Sequence, residues 1–174
     1  MIFTLKSDGI TKGMIDLRYG KFSEDTINGI PQISIPLEWS GCPKGTKSLA
    51  LIFIDNDNYQ DQGVSWLHWS VANIPSDVTC LAEDCSRSIK NTDSRIVQGK
   101  NSWILELPEG SPECNRYGGP APTGFDHEYT FVLYALDSYM DLEDGYYQNQ
   151  MQKKMKGRVL GRACLTGKYS AGKE

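Results

Sequence analysis

The chain has 174 residues, 39% of them hydrophobic, with 17 glycines and a formal net charge of −4 from 18 Lys+Arg against 22 Asp+Glu. That length fits one domain over 1–174, and such a domain buries roughly 70% of its unfolded surface, so no disulfide or metal is needed to hold a core. The composition argues against disorder, collagen-like repeats and coiled coils, and the acidic balance against nucleic-acid and anionic-membrane binding, which rest on basic patches.

The N-terminal stretch Met1 to Asp8 does not read as a signal peptide, because Lys6 and Asp8 close its short apolar run. Ile33 to Leu37 alternates apolar and polar residues, predicting a strand whose Pro36 marks an edge or an end. Ser48 to Ile54 is a continuous apolar run, the pattern of a strand buried on both faces. Asn56 to Gly63 reads as an acidic turn. Trp66 to Asn73 alternates again, which predicts Trp66, His68, Ser70 and Ala72 on one face and Leu67, Trp69, Val71 and Asn73 on the other. Gly118 to Gly124 is a Gly/Pro-rich loop, and Tyr129 to Leu136 is an aromatic strand.

Near the C-terminus, Leu142, Tyr146, Tyr147, Met151 and Met155 form a helical stripe. Acidic residues lie at its start and Lys153, Lys154 and Lys156 at its end before Gly157, an order that suits the helix dipole, while Gly145 is a weak point. Arg158 to Thr166 reads as a last strand. No apolar run approaches the ~20 residues needed to span a bilayer, so the chain reads as soluble and cytoplasmic, with no stable membrane insertion. The five cysteines form no Cys-x-x-Cys pair. They read as reduced thiols, with Cys80 and Cys85 able to close a loop only in an oxidising compartment.

Only two histidines occur. His68 lies one strand beyond Asp55-Asn56-Asp57, and His127 follows the Gly/Pro loop, so both abut turns at strand ends, where sites tend to lie. No Gly-x-Ser-x-Gly elbow, His-x-His or His-Glu-x-x-His motif accompanies them.

Taken in order, Phe3–Ser7, Pro36–Gly41, Pro43–Ser48, Leu49–Asp57, Trp66–Trp69, Asn73–Pro75, Gln98–Trp103, Tyr117–Pro122, Phe131–Asp137 and Gly167–Tyr169 resemble the phosphatidylethanolamine-binding protein (PEBP) family. The likeness is to the bacterial and archaeal branch, related to the Raf kinase inhibitor proteins, and it spans nearly the whole chain. It implies a mainly β fold, a PEBP-like β-sandwich with a helix near the C-terminus and a small anion-binding pocket at one end. Carried over residue by residue, the ligand-binding positions are Asp55, Trp66, His68, Gly119, Pro120, His127 and Tyr129. The resemblance implies a lipid head group, a phosphorylated group or a simple anion as ligand, no enzymatic activity, no metal and no cofactor. It also implies a homodimer, and a kinase or protease as a protein target of an inhibitor.

The chemistry of these residues agrees. An imidazole titrating near neutrality donates to phosphate oxygens, a carboxylate fixes its tautomer, and Gly119 permits a close backbone N–H. Tyr129 adds a donor, and Trp66 with Pro120 forms an apolar wall. Asp57 shapes the turn. With no Lys or Arg in these motifs, weak binding is expected. A second reading assigns His68, His127 and Asp55 to a metal-dependent enzyme. The sequence also departs from the family pattern. Asn56 stands where proline is usual, Asn58–Gly63 replaces a proline-rich continuation, Glu128 replaces a basic residue, and Ala121 and Thr123 stand where Cys and Pro are common.

Overall fold

The computed structural model describes residues 2–172, leaving aside the side chain of Thr92. Twelve strands dominate the chain. The first six are β1 (Thr4–Lys6), β2 (Ile10–Thr11), β3 (Met14–Ile15), β4 (Thr26–Ile27), β5 (Ile30–Pro31) and β6 (Leu37–Ser40). They are followed by β7 (Ser48–Asp55), α1 (Asn58–Gln62), β8 (Trp66–Pro75), β9 (Cys80–Leu81), α2 (Ile89–Thr92) and β10 (Val97–Gln98). The chain ends with β11 (His127–Leu136), α3 (Gln148–Met155) and β12 (Val159–Tyr169). A seven-stranded sheet runs in the order β10-β8-β7-β11-β12-β3-β2, and a three-stranded sheet in the order β1-β6-β9.

The large sheet is covered on both faces. Leu49, Phe53, Trp69, Phe131 and Leu133 meet Leu5, Leu37, Trp39 and Leu81 of the small sheet in one core. On the opposite face Ala50, Ile52, Leu67 and Ala72 pack under Met140, Tyr146, Met151 and Met155. A central strand sandwiched this way needs apolar residues at successive positions, which accounts for the continuous run of β7.

Three expectations are corrected. No strand forms over Ile33 to Pro36, and pairing begins only at Leu37. Pro36 has no N–H to give a ladder, and the Ser34 carbonyl is taken by the Asp84 N–H at 2.8 Å. The C-terminal helix begins at Gln148, not near Leu142. Gly145 sits at φ +76°, its N–H donates to the Gln98 carbonyl, and the Tyr146 carbonyl accepts from the Lys100 N–H, so this backbone is tied to the loop after β10 and leaves Tyr147 half-exposed.

The third correction concerns β8. Opposite β7, Phe53 pairs with Trp69 but Ile54 pairs with Leu67, so His68 is the extra residue of a β-bulge. The strict alternation therefore breaks there. Trp66, His68, Trp69 and Val71 share the inner face, while Leu67 and Ala72 belong to the other core.

All five cysteines are free thiols, with Cys80 and Cys164 exposed. Among the described residues no helix is long and apolar enough to cross a membrane.

Phe53 joins the core to the pocket end of the sheet. Its ring stacks on Phe131 at 3.9 Å and on Tyr117 at 5.7 Å, and touches His68 and Tyr129 at tilted angles. Replacing it with alanine removes a fully buried ring from between two sheets. Phe53→Ala is expected to cost about 3–5 kcal/mol, read as a lowered urea midpoint at unchanged slope.

Candidate functional site

Antiparallel pairing brings the end of β7 to the beginnings of β8 and β11. Asp55 lies opposite both Trp66 and Tyr129 in the ladder. With His68 and His127 these residues line a cavity of about 240 Å³. That is below the ~300–1,000 Å³ of pockets for drug-sized ligands, so the cavity admits only a small group. The remaining lining comes from Asn58 and Gln62 of α1, from Trp103 and Glu106, and from Ala121, Pro122 and Thr123.

Asp55 is only 3% exposed, so its carboxylate must be satisfied from within the protein. Oδ2 accepts from His127 Nδ1 at 2.8 Å, and Oδ1 accepts from the Asn58 N–H at 3.1 Å. The first bond fixes the His127 ring with its Nδ1 proton toward the carboxylate, as in other carboxylate-oriented imidazoles. His127 Nε2 is then an acceptor in the neutral ring and a donor in the imidazolium. It is shielded from solvent and has no aligned hydrogen-bond partner, although Asp61 Oδ2 stands 3.3 Å away. Tyr129 Oη is likewise buried and has no partner in good hydrogen-bond geometry, although the Asp55 carboxylate is near enough to hold its proton. Burial, reinforced by the neighbouring Asp55 charge, pushes its phenol far above the usual value, so it remains a protonated donor.

His68 has a different proton arrangement. Nδ1 donates to the Gly118 carbonyl at 2.6 Å, and burial pushes the imidazole down to about 4. It is therefore neutral at pH 7, with a lone pair on Nε2. This corrects the expectation of an imidazole titrating near neutrality at this position.

The Gly/Pro loop is also corrected in detail. The Gly119 N–H donates to the Pro31 carbonyl at 2.9 Å and is not free for an anion. A Cβ on Gly119 would lie 2.2 Å from the Tyr19 carbonyl oxygen, so glycine is needed there for packing. Gly118 is the glycine coupled to the site, through His68. Pro120 is buried, and its carbonyl takes the Lys21 N–H at 2.7 Å. It is absent from the cavity wall, where Trp66 meets Trp103 edge to face at 5.3 Å and Pro122 stands in place of Pro120.

Asn58, Gln62, Trp103, Glu106, Ala121, Pro122 and Thr123 of the lining, and Asp61 beside His127, are not among the sequence-predicted site residues. Trp103 lies within a matched motif but has no spacing relation to either histidine. Asn58 and Asp61 lie in a stretch that reads as a turn and folds as α1. Its helical signal is Gly63, which closes the helix at φ +74°. Asp57 stands at the N-cap of α1 but makes no side-chain cap bond; its carboxylate instead accepts the Glu128 N–H at 2.8 Å and ties the turn to β11, while Glu128 itself is exposed on the strand's other side.

The metal-centre donor set is not assembled. Asp55 and both Nδ1 atoms are committed to hydrogen bonds, and among the described residues no three His, Cys, Asp or Glu side chains are arranged to hold a metal ion.

A mainly β sandwich with its cavity at the joined ends of central strands defines the class. The sequence profile described as phosphatidylethanolamine-binding protein matches residues 6–170, and the chain belongs to that family. It is 37% identical over 161 residues to a UPF0098 protein of Methanothermobacter thermautotrophicus, covering 92% of this chain and 93% of that one. It is 35% identical to the uncharacterized protein YxkA of Bacillus subtilis over 152 residues, 85% of this chain and 89% of that one. Among solved structures, a PEBP homologue of Chlamydia trachomatis superposes with a TM-score of 0.77 at 30% identity, covering 99% of this chain and 98% of the other. Escherichia coli YbcL, described as a member of the mammalian PEBP family, superposes with a TM-score of 0.77 at 27% identity, covering 97% and 98%.

Two predictions follow from this geometry. Between pH 6.5 and about 4 the unfolded chain protonates His68 while the folded protein keeps it neutral. Stability should therefore fall through that window by up to about 3 kcal/mol on account of this group alone. His68→Asn, whose amide can still donate to Gly118, should show a correspondingly shallower loss of denaturant midpoint. Separately, Gly119→Ala should lower the melting temperature sharply, because the added methyl meets backbone rather than open pocket.

Proposed function

We propose that the protein is a non-enzymatic, regulatory binder of a small anionic or phosphate-bearing group, such as a phospholipid head group or a phosphorylated side chain. The observation that carries this reading is that three residues lining one cavity, Trp103, His127 and Tyr129, each hold a buried polar atom (Nε1, Nε2 and Oη) with no partner in hydrogen-bond geometry. Buried polar atoms are ordinarily hydrogen-bonded, and three without an aligned partner around one pocket support the reading that a polar ligand completes them. The family's description, which names a phospholipid carrying a single phosphate, supports the same chemistry.

The donor and acceptor pattern narrows the ligand's protonation state. Tyr129 O–H, and His127 Nε2 in the form that carries a second ring proton, offer donors to two phosphate oxygens. Neutral His68 Nε2 offers an acceptor, which a P–OH or a ligand ammonium can meet. Among the described residues no Lys or Arg lines the cavity, and Glu106 does. A monoanion carrying its own proton therefore matches better than a dianion, and binding is weak. No serine or cysteine lines the cavity to act as a nucleophile, and Thr123 Oγ1 is engaged with Asp61, which supports binding rather than turnover.

Calorimetric titration with phenyl phosphate tests this. Its second ionisation lies near pH 6, so affinity should be at least about tenfold higher at pH 6 than at pH 8. His127→Ala should weaken binding at pH 6 by about tenfold or more. Binding that is indifferent to pH and survives His127→Ala would contradict the reading.

A further inference from the structure

We propose that Asp61 helps to set which anions this pocket admits. Its carboxylate stands 3.3 Å from His127 Nε2, off the line of a hydrogen bond, and a ligand oxygen that bonds this nitrogen must push it aside. This rests on the anion-binding reading above and goes beyond it, because it assigns part of the pocket's selectivity to a residue of the loop in which this chain departs from the family pattern.

The segment Asn58–Gln62 folds as α1 because both of its ends are fixed. The Asn58 N–H donates to Asp55 Oδ1, Asn58 Nδ2 donates to the Val64 carbonyl, and the Gly63 N–H returns to the Tyr59 carbonyl. Three residues beyond Asn58, Asp61 stands one helical turn on and on the same side. Its Oδ2 accepts from Thr123 Oγ1 at 3.0 Å and lies 3.3 Å from His127 Nε2, so it bridges α1 to the Gly/Pro loop across the ring edge. His127 is 1% exposed and Nε2 has no aligned partner, whereas the Asp61 side chain keeps 23% of its surface in water. The nitrogen is fixed and its cover can turn outward.

A carboxylate oxygen and a phosphate oxygen seek the same N–H, and both cannot occupy it. Displacing Asp61 also leaves its charge near the ligand, a repulsion that grows with ligand charge. Asp61 thus adds, beside His127, to the discrimination against dianions that Glu106 exerts from the cavity lining.

The test measures dissociation constants at pH 7 for phenyl phosphate and for diethyl phosphate, which carries one charge, with wild type, Asp61→Asn, Thr123→Val and Glu128→Gln. Asp61→Asn should bind phenyl phosphate about tenfold more tightly, with a gain about threefold larger than for diethyl phosphate. Thr123→Val, which removes the hydrogen bond steadying Asp61, should give a smaller gain of about threefold. Glu128→Gln, which removes the same charge from the opposite face beside His127, should change affinity by less than about twofold. If wild type binds and Asp61→Asn binds no better, or gains equally for both ligands, Asp61 does not select and the anion-binding reading survives. If Glu128→Gln matches Asp61→Asn, overall charge governs and the proposal fails. If neither wild type nor Asp61→Asn binds either ligand, both readings fall together.

Discussion

A carboxylate buried at the meeting point of three strands must have its oxygens satisfied there, and much of this site follows from how Asp55 achieves that. One oxygen orients His127 on β11, and the other accepts the first N–H of α1. The same side chain therefore fixes the ring that faces the cavity and the short helix that covers the ring. The ladder holds Asp55 in place, because β7 pairs on one side with Trp66 of β8 and on the other with Tyr129 of β11.

The two histidines occupy one pocket with opposite proton arrangements. His68, bulged out of β8, gives its only neutral-state proton to Gly118 and keeps a lone pair at Nε2. His127, bonded to a carboxylate, can carry a second proton and become a donor. The cavity is walled by Trp66 and Trp103, and among the described residues no Lys or Arg lines it, so the proposed anion binding relies on this division instead of on a fixed positive charge. With a net charge of −4, the chain would have to attract such a ligand locally, against the field of the whole molecule.

Much of the architecture was legible in the sequence where burial dictates residue type. The apolar run of β7 and the aromatic β11 are needed by a sheet covered on both faces, and both appear as such. The bulge at His68 left no mark, since it is a matter of backbone register and not of side-chain character. For the site, the family resemblance brought Asp55, Trp66, His68, His127 and Tyr129 together, and the structure places all five around one cavity. It missed by one residue in the glycine pair, because which of Gly118 and Gly119 faces His68 depends on the loop's path over Pro31 and Tyr19. Asp61 could not be read at all, because the eight residues from Asn56 to Gly63 have the composition of a turn and still hold a one-turn helix.

The central claim is that His127 Nε2 is the open donor of this pocket and that His68 stays neutral beside it. Nitrogen-15 spectra of the two imidazoles, followed as phenyl phosphate is added at pH 6, test it most directly. The expected result is a saturable shift at His127 Nε2, with His68 remaining a neutral ring protonated at Nδ1. His127 resonances unmoved at high-millimolar ligand, or a His68 ring already doubly protonated at that pH, would contradict it.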